Sequence, residues 1–150
     1  MRAVIQRVSE ASVSIDNSIF SEISTGLLIL LGIEIKDTEE DSLWLANKIA
    51  NLRIFTNEQG VMNNAILDIE GDIIVVSQFT LHARTKRGNR PSYMNSAKAE
   101  QALPLYKQFK QELSNLTGKD VFSGKFSEDM KVTLVNDGPV TIIIDTMNKE

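Results

Sequence analysis

The segment most informative about the fold is Leu27-Leu28-Ile29-Leu30-Leu31-Gly32-Ile33, which follows Gly26. Its apolar residues occupy successive positions, so a strand built from them would be buried on both faces. The run Ile73 to Leu81 begins with four β-branched apolar residues and predicts the strongest strand of the chain. The run from Leu27 is therefore expected at the centre of a sheet.

Further strands are predicted around this centre. The first fifteen residues alternate between apolar and polar, and Ile19 to Ile23 can return as a hairpin partner after the turn signal Asp16-Asn17-Ser18. Shorter strands are predicted at residues 66–69, 121–126, 131–135 and 140–145.

Two helices are predicted. Thr38 precedes three acidic residues, which is typical of a capped helix start, and the apolar spacing that follows predicts a helix ending around Arg53. Residues 96–116 predict the second helix, in which Pro104 marks either a kink or the first turn of a new helix, and Gly118 ends it. Because strands and helices are not regularly interleaved, we predict an α+β fold. It is expected to be a single domain (1–150) with two main helices and a mixed, largely antiparallel, barrel-like sheet.

Composition excludes several kinds of chemistry. The 150 residues include no cysteine and one histidine, His82, which excludes disulfides, thiolate nucleophiles and a multi-histidine metal site within one chain. We expect no metal and no cofactor. No apolar run approaches the roughly 18 residues needed to span a membrane, and the first residues turn polar too early for a signal peptide. The sequence therefore predicts a cytoplasmic protein without a membrane partner.

The first candidate site is Ser77-Gln78-Phe79-Thr80-Leu81, where polar residues begin to alternate with apolar ones after an apolar strand. If the strand continues, Gln78, Thr80 and His82 share one face. One interpretation is a strand that leaves the core and becomes half-exposed. The other is a hydroxyl and an amide that face a small polar substrate.

A catalytic pair of Thr80 and His82 does not fit strand geometry. Two residues that are two positions apart on a strand lie roughly 6.6 Å apart along its axis. Direct hydrogen bonding from a nucleophile to its base needs about 2.6–3.2 Å. The sequence therefore argues against histidine-assisted nucleophilic catalysis and leaves backbone amides, hydroxyls or the substrate itself to promote any hydrolysis.

Two further segments are candidates. Asn136-Asp137-Gly138-Pro139-Val140-Thr141 is either a turn between strands or a device that presents backbone carbonyls rigidly. The segment from Arg84 to Arg90, here called the basic loop, holds four cations, Arg84, Lys86, Arg87 and Arg90, in a chain of net charge −4. It is either a solvated surface loop or a contact to a phosphate backbone. Because it has no interleaved aromatic residue, base stacking is not expected there.

Together, Ser77 to Leu81 and Asn136 to Thr141 resemble the paired signature of the D-aminoacyl-tRNA deacylases, also called the D-tyrosyl-tRNA deacylase family. The opening, Met1 to Val8, is similar to the start of that family, and the chain length and element order agree from end to end. The resemblance implies hydrolysis of the ester between a D-amino acid and the 3′-terminal adenosine of tRNA, and removal of glycine mischarged onto alanine tRNA. It also implies a cytoplasmic homodimer whose partner is aminoacyl-tRNA.

The resemblance further implies roles for individual residues. Ser77, Gln78, Phe79 and Thr80 would lie in the active site. Gly138 and Pro139, joined by a cis peptide, would enter the active site of the other subunit and exclude L side chains, with Arg7 holding them. Thr80 is one candidate nucleophile, and the 2′-hydroxyl of the terminal adenosine is the alternative.

The missing base near Thr80 favours the 2′-hydroxyl, with Gln78 and the backbone amides of Phe79 and Thr80 positioning the ester carbonyl. A competing hypothesis for the whole protein is a non-catalytic nucleic-acid-binding protein that uses the basic loop. Such a protein would need the four cations but not Gly138 and Pro139.

Overall fold

The chain forms a curved, nearly closed mixed sheet with two helices packed on its outer face. The computed structural model describes residues 1–149. Its main sheet contains β1 (Arg2–Ile15), β2 (Ser18–Ile23), β3 (Gly26–Gly32), β6 (Asp72–Ser77), β7 (Phe122–Ser123) and β8 (Lys131–Asp145). Two short strands, β4 (Phe55–Thr56) and β5 (Met62–Asn64), form a separate hairpin. The helices are α1 (Glu39–Ala50) and α2 (Ala99–Thr117), and a 3₁₀ helix spans Phe79–His82.

The long strand β1 organises the sheet. It pairs antiparallel with β8 along most of its length, and also with β3 through its first half and β2 through its second half. The order continues through β6 and β7, which are parallel to β3 and to each other. The Ser21 hydroxyl on β2 donates to the Ser123 carbonyl on β7 at 3.0 Å, so the sheet curves back on itself. The predicted α+β, barrel-like fold is confirmed.

The central position predicted for β3 follows from burial on both of its faces. Leu27, Ile29 and Leu31 pack into the larger core, between the sheet and the helices. Leu28 belongs to a second core inside the barrel, with Ile74 and residues of β1 and β2. Since alternate side chains of a strand point to opposite faces, an apolar run is required where both faces meet a core.

The helix predictions are largely correct. Thr38 caps α1, because its hydroxyl accepts from the Asp41 amide at 3.5 Å while the Asp41 carboxylate accepts from the Thr38 amide at 2.9 Å. The helix ends at Ala50 rather than near Arg53. Helix α2 begins three residues later than predicted, continues through Pro104 and is capped by Gly118 in the left-handed conformation (φ 67°).

Several strand boundaries differ from the prediction. Residues 66–69 form a turn rather than a strand, because the Asp68 carboxylate accepts from the Ala65 amide at 2.7 Å and closes it. The strand predicted at 121–126 is only Phe122–Ser123. The segments predicted as two strands at 131–135 and 140–145 form one strand, β8.

The strand predicted from Ile73 to Leu81 ends at Ser77, and the chain then turns into the 3₁₀ helix. The alternation assumed for Gln78, Thr80 and His82 is therefore wrong. The run of β-branched residues that favours a strand ends at Val76. The Leu81 amide then donates a hydrogen bond to the Gln78 carbonyl at 3.3 Å, which forms a turn.

Candidate active site and its relatives

A cavity of about 490 Å³ lies where the parallel strands β3 and β6 end. Ser77, the last residue of β6, and the two residues that follow it, Gln78 and Phe79, form part of its wall. The apolar part of the wall comes from the ends of β3 and β6, the region where α2 begins, and the start of β8 with the segment before it: Leu31, Ile33, Val76, Ala97, Ala99, Ala102, Phe126, Met130 and Val132. Ser127, Glu128 and Asp129 complete it. The cavity thus combines apolar walls with a few polar groups, as small-molecule sites do.

The 3₁₀ helix beside this cavity is anchored by three other parts of the chain. The Gln78 amide donates to the Leu31 carbonyl at 2.8 Å, and the Ser96 hydroxyl donates to the Phe79 carbonyl at 2.9 Å. The Arg2 guanidinium donates from Nη1 to the Leu81 carbonyl at 2.7 Å. These bonds hold the backbone of Phe79 and Thr80 in one position relative to the cavity.

The Thr80 hydroxyl is hydrogen-bonded by a side-chain amide and by no ionisable group of the described residues. The Gln78 side chain donates from Nε2 to Thr80 Oγ1 at 2.5 Å. Among residues 1–149, no carboxylate, imidazole or amine hydrogen-bonds this hydroxyl, and the backbone amides of Phe79 and Thr80 donate to no protein acceptor. Thr80 is not part of the cavity wall. Beside the cavity, this segment offers two free N–H groups and a side-chain amide, without a base positioned to ionise Thr80.

His82 is buried rather than exposed at the mouth of the cavity. Its Nδ1 lies 3.9 Å from the Glu34 carboxylate, and its Nε2 has no hydrogen-bond partner among the described residues. Its ring also packs beside Gly32, where a Cβ atom would lie 3.0 Å from His82 Cδ2. This packing indicates a structural residue.

Gly138 and Pro139 lie in a bulge of β8. Gln6 pairs with Thr141 and Val8 pairs with Asn136, so four residues of β8 lie opposite a single residue, Arg7. The Asn136 side chain closes the base of the bulge by accepting from the Val140 amide at 2.9 Å. The peptide between Gly138 and Pro139 is cis, and both residues are exposed.

Arg7 supports this bulge from the core side. Although only 9% exposed, it donates from Nε to the Asp137 carbonyl at 3.0 Å and from Nη1 to the Ile54 carbonyl at 2.7 Å. Its Nη2 would lie 2.9 Å from a Cβ atom placed on Gly138, whose φ is +131°. The guanidinium thus fixes the carbonyl that immediately precedes Gly138, in a place where no side chain fits.

The structure does not bring the two motifs together within one chain. Arg7, opposite the bulge, pairs with Leu27 at the start of β3, whereas Ser77 pairs with Leu31 near its end. That difference of four residues corresponds to roughly 13 Å along the strands. No residue of the segment 136–141 lines the cavity.

The basic loop is exposed along its whole length. Two backbone hydrogen bonds close its base: the Arg84 amide donates to the Ser92 carbonyl at 2.8 Å, and the Ser92 amide donates to the Arg84 carbonyl at 3.0 Å. Tyr93 follows directly, and its ring meets Phe79 edge to face with the centroids 5.1 Å apart. Sequence reasoning missed Tyr93, because it lies just outside the loop in sequence. Its position shortly after a run of cations was the only available signal.

Residues 1–149 contain no group of three or more histidine, cysteine, aspartate or glutamate side chains that could hold a metal ion. Neither helix among these residues has the length and apolar character needed to cross a membrane.

Comparison with known proteins identifies the family. The profile of the family described as D-Tyr-tRNA(Tyr) deacylase matches residues 4–145. The chain is 61% identical to a D-aminoacyl-tRNA deacylase of Bacteroides fragilis and 59% identical to one of Parabacteroides distasonis, each over 150 residues and the full length of both chains.

Two solved structures share the fold. The c-Myc DNA Unwinding Element Binding Protein superposes with a TM-score of 0.91 at 37% identity, covering 97% of this chain and 98% of that one. A probable eukaryotic D-amino acid tRNA deacylase superposes with a TM-score of 0.80 at 16% identity, covering 95% and 97%. The chain belongs to the D-Tyr-tRNA(Tyr) deacylase family, whose members are hydrolases that act on the ester bond of aminoacyl-tRNA.

Proposed function

We propose that this protein removes D-amino acids and glycine from tRNA in the cytoplasm, acting as a homodimer in which each subunit completes the site of the other. One observation carries the proposal: the exposed Gly138-Pro139 bulge is held rigidly by Arg7, yet it lies far from the cavity of its own chain. A rigid, exposed bulge of this kind suits insertion into a second molecule. The full-length relatives named D-aminoacyl-tRNA deacylase support tRNA as the substrate.

In this proposal the terminal adenosine of tRNA occupies the cavity. Its apolar walls, which include Ala102, Phe126 and Met130, suit the faces of a nucleobase, and the volume of about 490 Å³ accommodates a nucleoside. The ester linked to the ribose would then lie beside Gln78 and the 3₁₀ helix. The free amides of Phe79 and Thr80 would donate to the ester carbonyl and stabilise the negative charge that develops on it.

Water is the nucleophile in the reaction that we infer. It adds to the ester carbonyl, the bond between the acyl carbon and the ribose oxygen breaks, and the products are a free amino acid and tRNA. The neighbouring 2′-hydroxyl of the adenosine assists the transfer of the proton to the leaving ribose oxygen. Thr80 and Gln78 position the substrate, since no base hydrogen-bonds the Thr80 hydroxyl.

Selection against L-amino acids would rest on backbone atoms of the partner subunit. The carbonyls of its Gly138-Pro139 bulge would face the α-carbon and the amino group, leaving no room for an L side chain. Such a gate does not recognise the D side chain, so D-amino acids of very different size should be hydrolysed. Glycine should be hydrolysed as well, because it has no side chain to exclude.

Subunit mixing tests the shared site. We expect Gln78→Ala to lower D-tyrosyl-tRNA hydrolysis by about a hundredfold, the usual effect of losing one donor to a developing oxyanion. Gly138→Ala should also be nearly inactive, because a Cβ atom would lie 2.9 Å from Arg7 Nη2 and the φ of +131° disfavours any other residue. In a hybrid dimer of the two variants, one site combines an intact cavity with an intact bulge. Co-refolded subunits should therefore regain activity.

The same preparations provide the controls. Each variant refolded alone should stay at its own low activity, with circular dichroism and sizing that match the wild type. Hydrolysis of L-tyrosyl-tRNA should stay negligible in the hybrid. If the hybrid dimer forms but recovers nothing, the bulge does not act across subunits. If the folded Gly138→Ala dimer keeps full D-activity and full L-rejection, the bulge is not the chiral gate.

A non-catalytic nucleic-acid-binding protein remains the second candidate function. It is favoured by the 37% identical structure that is named a DNA Unwinding Element Binding Protein, and by the exposed basic loop. It requires nucleic-acid binding that is independent of the bulge. Wild-type protein that binds tRNA but hydrolyses no D-aminoacyl-tRNA in a single-turnover assay would establish it over the deacylase.

A further inference from the structure

Two aromatic side chains form an exposed ledge at the mouth of the cavity. Phe79 is 55% exposed and Tyr93 is 38% exposed, and their rings meet at an interplanar angle of 77°. Exposed apolar side chains that touch one another form a continuous patch, and such patches often mark the place where a ligand or partner binds. We refer to Phe79 and Tyr93 together as the aromatic ledge.

The aromatic ledge is held in place by its backbone. The Ser96 side chain donates to the Phe79 carbonyl at 2.9 Å, while the Ser96 amide donates to the Tyr93 carbonyl at 3.0 Å. A single residue thus ties both members of the ledge together. Such a surface can accept a flat ligand with little further loss of conformational entropy.

The ledge lies between the cavity and the basic loop. Phe79 lines the cavity, and Tyr93 follows Ser92, which pairs with Arg84 at the base of the loop. A ligand that leaves the cavity over the ledge therefore comes next to the exposed cations of the loop. Aromatic rings beside cations are the arrangement that binds single-stranded nucleic acid, since bases stack on the rings and phosphates meet the charges.

We propose that the aromatic ledge stacks the base of the nucleotide preceding the terminal adenosine of tRNA, while the basic loop contacts the adjoining phosphates. This inference rests on the proposed function and extends it from the reacting nucleotide to the next one. The concentration of positive charge in a chain of net charge −4 favours RNA over an apolar protein partner. Stacking on the ledge would require a base at this position but would not distinguish one base from another.

The test compares two small substrates that differ by one base. One is the D-tyrosyl ester of the dinucleotide cytidylyl-adenosine, and the other is the same ester with the cytosine base removed and the phosphate retained. Wild-type protein should hydrolyse the ester that retains the cytosine with a kcat/KM about tenfold higher than that of the other ester, within the range that one base–aromatic stack produces.

Tyr93→Leu should abolish this preference, and Tyr93→Phe should keep it. Phe20→Leu removes a ring on β2 that is more exposed than that of Tyr93, at 52%, and should also keep the preference.

Each outcome has a defined meaning. Equal hydrolysis of both esters by wild-type protein would show that the ledge does not stack a base, and the proposed function would still stand. This comparison does not require any variant to fold. A preference that persists in folded Tyr93→Leu would also show that the ledge does not stack the base. A change in oligomeric mass without a change in preference would identify the ledge as a protein contact. If wild-type protein hydrolyses neither these esters nor D-tyrosyl-tRNA, the proposed function itself fails. If it hydrolyses only the tRNA, recognition depends on contacts other than the ledge, and the proposal for the ledge is wrong.

Discussion

At the scale of single residues, the surroundings of Thr80 decide between two chemical roles. A nucleophilic hydroxyl needs a base within hydrogen-bonding reach, and here the group that reaches it is the Gln78 amide, a donor at 2.5 Å. His82, the one histidine, is buried beside Gly32 and Glu34. Thr80 therefore suits the positioning of a substrate whose own 2′-hydroxyl assists the reaction.

We predict that Thr80→Ala lowers single-turnover hydrolysis of D-tyrosyl-tRNA by about fivefold and leaves clear activity, since loss of one positioning hydrogen bond corresponds to about 1 kcal/mol. A tRNA that ends in 2′-deoxyadenosine should be hydrolysed poorly by the wild type. Thr133→Ala, on the exposed face of β8, is the matched control and should behave as wild type. Trapping of a covalent ester on Thr80 would show that this assignment is wrong.

At the scale of elements, Arg2 connects the start of β1 to the end of β8 and to the 3₁₀ helix. Its Nε and Nη2 both donate to Asp145, at 3.0 and 2.7 Å, and its Nη1 donates to the Leu81 carbonyl. Burial raises the pKa of Asp145, but the hydrogen bonds and charge of Arg2 and the Met147 amide outweigh it and hold that pKa below its usual range. This contact joins the sheet to the candidate active site.

The lowered pKa gives a stability prediction with a definite sign. A carboxyl whose pKa is lower in the folded state stabilises that state fully above its unfolded pKa of about 3.9 and loses this effect as the pH falls through the lower folded value. Asp145→Asn should therefore be less stable than wild type by about 1 kcal/mol at pH 7, a modest value because the pair is partly exposed.

The difference should shrink as the pH falls below about 4. Urea unfolding followed by circular dichroism from pH 7 to pH 3 measures it. A difference that stays constant over this range would mean that the charge on Asp145 does not contribute.

At the scale of the whole molecule, charge is distributed unevenly. The chain carries a net charge of −4, yet the basic loop presents four cations on an exposed segment next to the cavity. Neutralising all four should weaken tRNA binding and reduce the slope of log K against log salt by about 1 for each phosphate that no longer meets a cation. Fluorescence titrations at several salt concentrations measure the slope.

A quadruple neutralisation of exposed lysines on other parts of the surface, Lys48, Lys107, Lys131 and Lys149, provides the matched control. It changes the net charge by the same amount and should alter the slope far less. If both quadruple variants show the wild-type slope, the basic loop is only a solvated surface.

The class of fold and the elements with strong periodic patterns follow from the sequence alone. The doubly buried β3, the Thr38 cap of α1 and the Gly118 cap of α2 each depend on short-range physics, namely burial on both faces, a side chain that caps free amides, and a residue that tolerates positive φ. The two motifs were also visible in the sequence, one as an apolar strand that becomes polar at its end and the other as a turn-forming segment that contains Gly138 and Pro139. Their assignment to a family came from the resemblance.

The way in which these motifs are presented depends on the tertiary structure. The 3₁₀ helix at Phe79–His82 depends on anchors from β1, β3 and Ser96, and the bulge at Gly138 depends on Arg7, which is 130 positions away in sequence from Asp137. The meeting of Phe79 with Tyr93 also depends on contacts between distant segments. Local propensity cannot encode such contacts, because the hydrogen bonds that replace the regular strand pattern form only when the chain has folded around them.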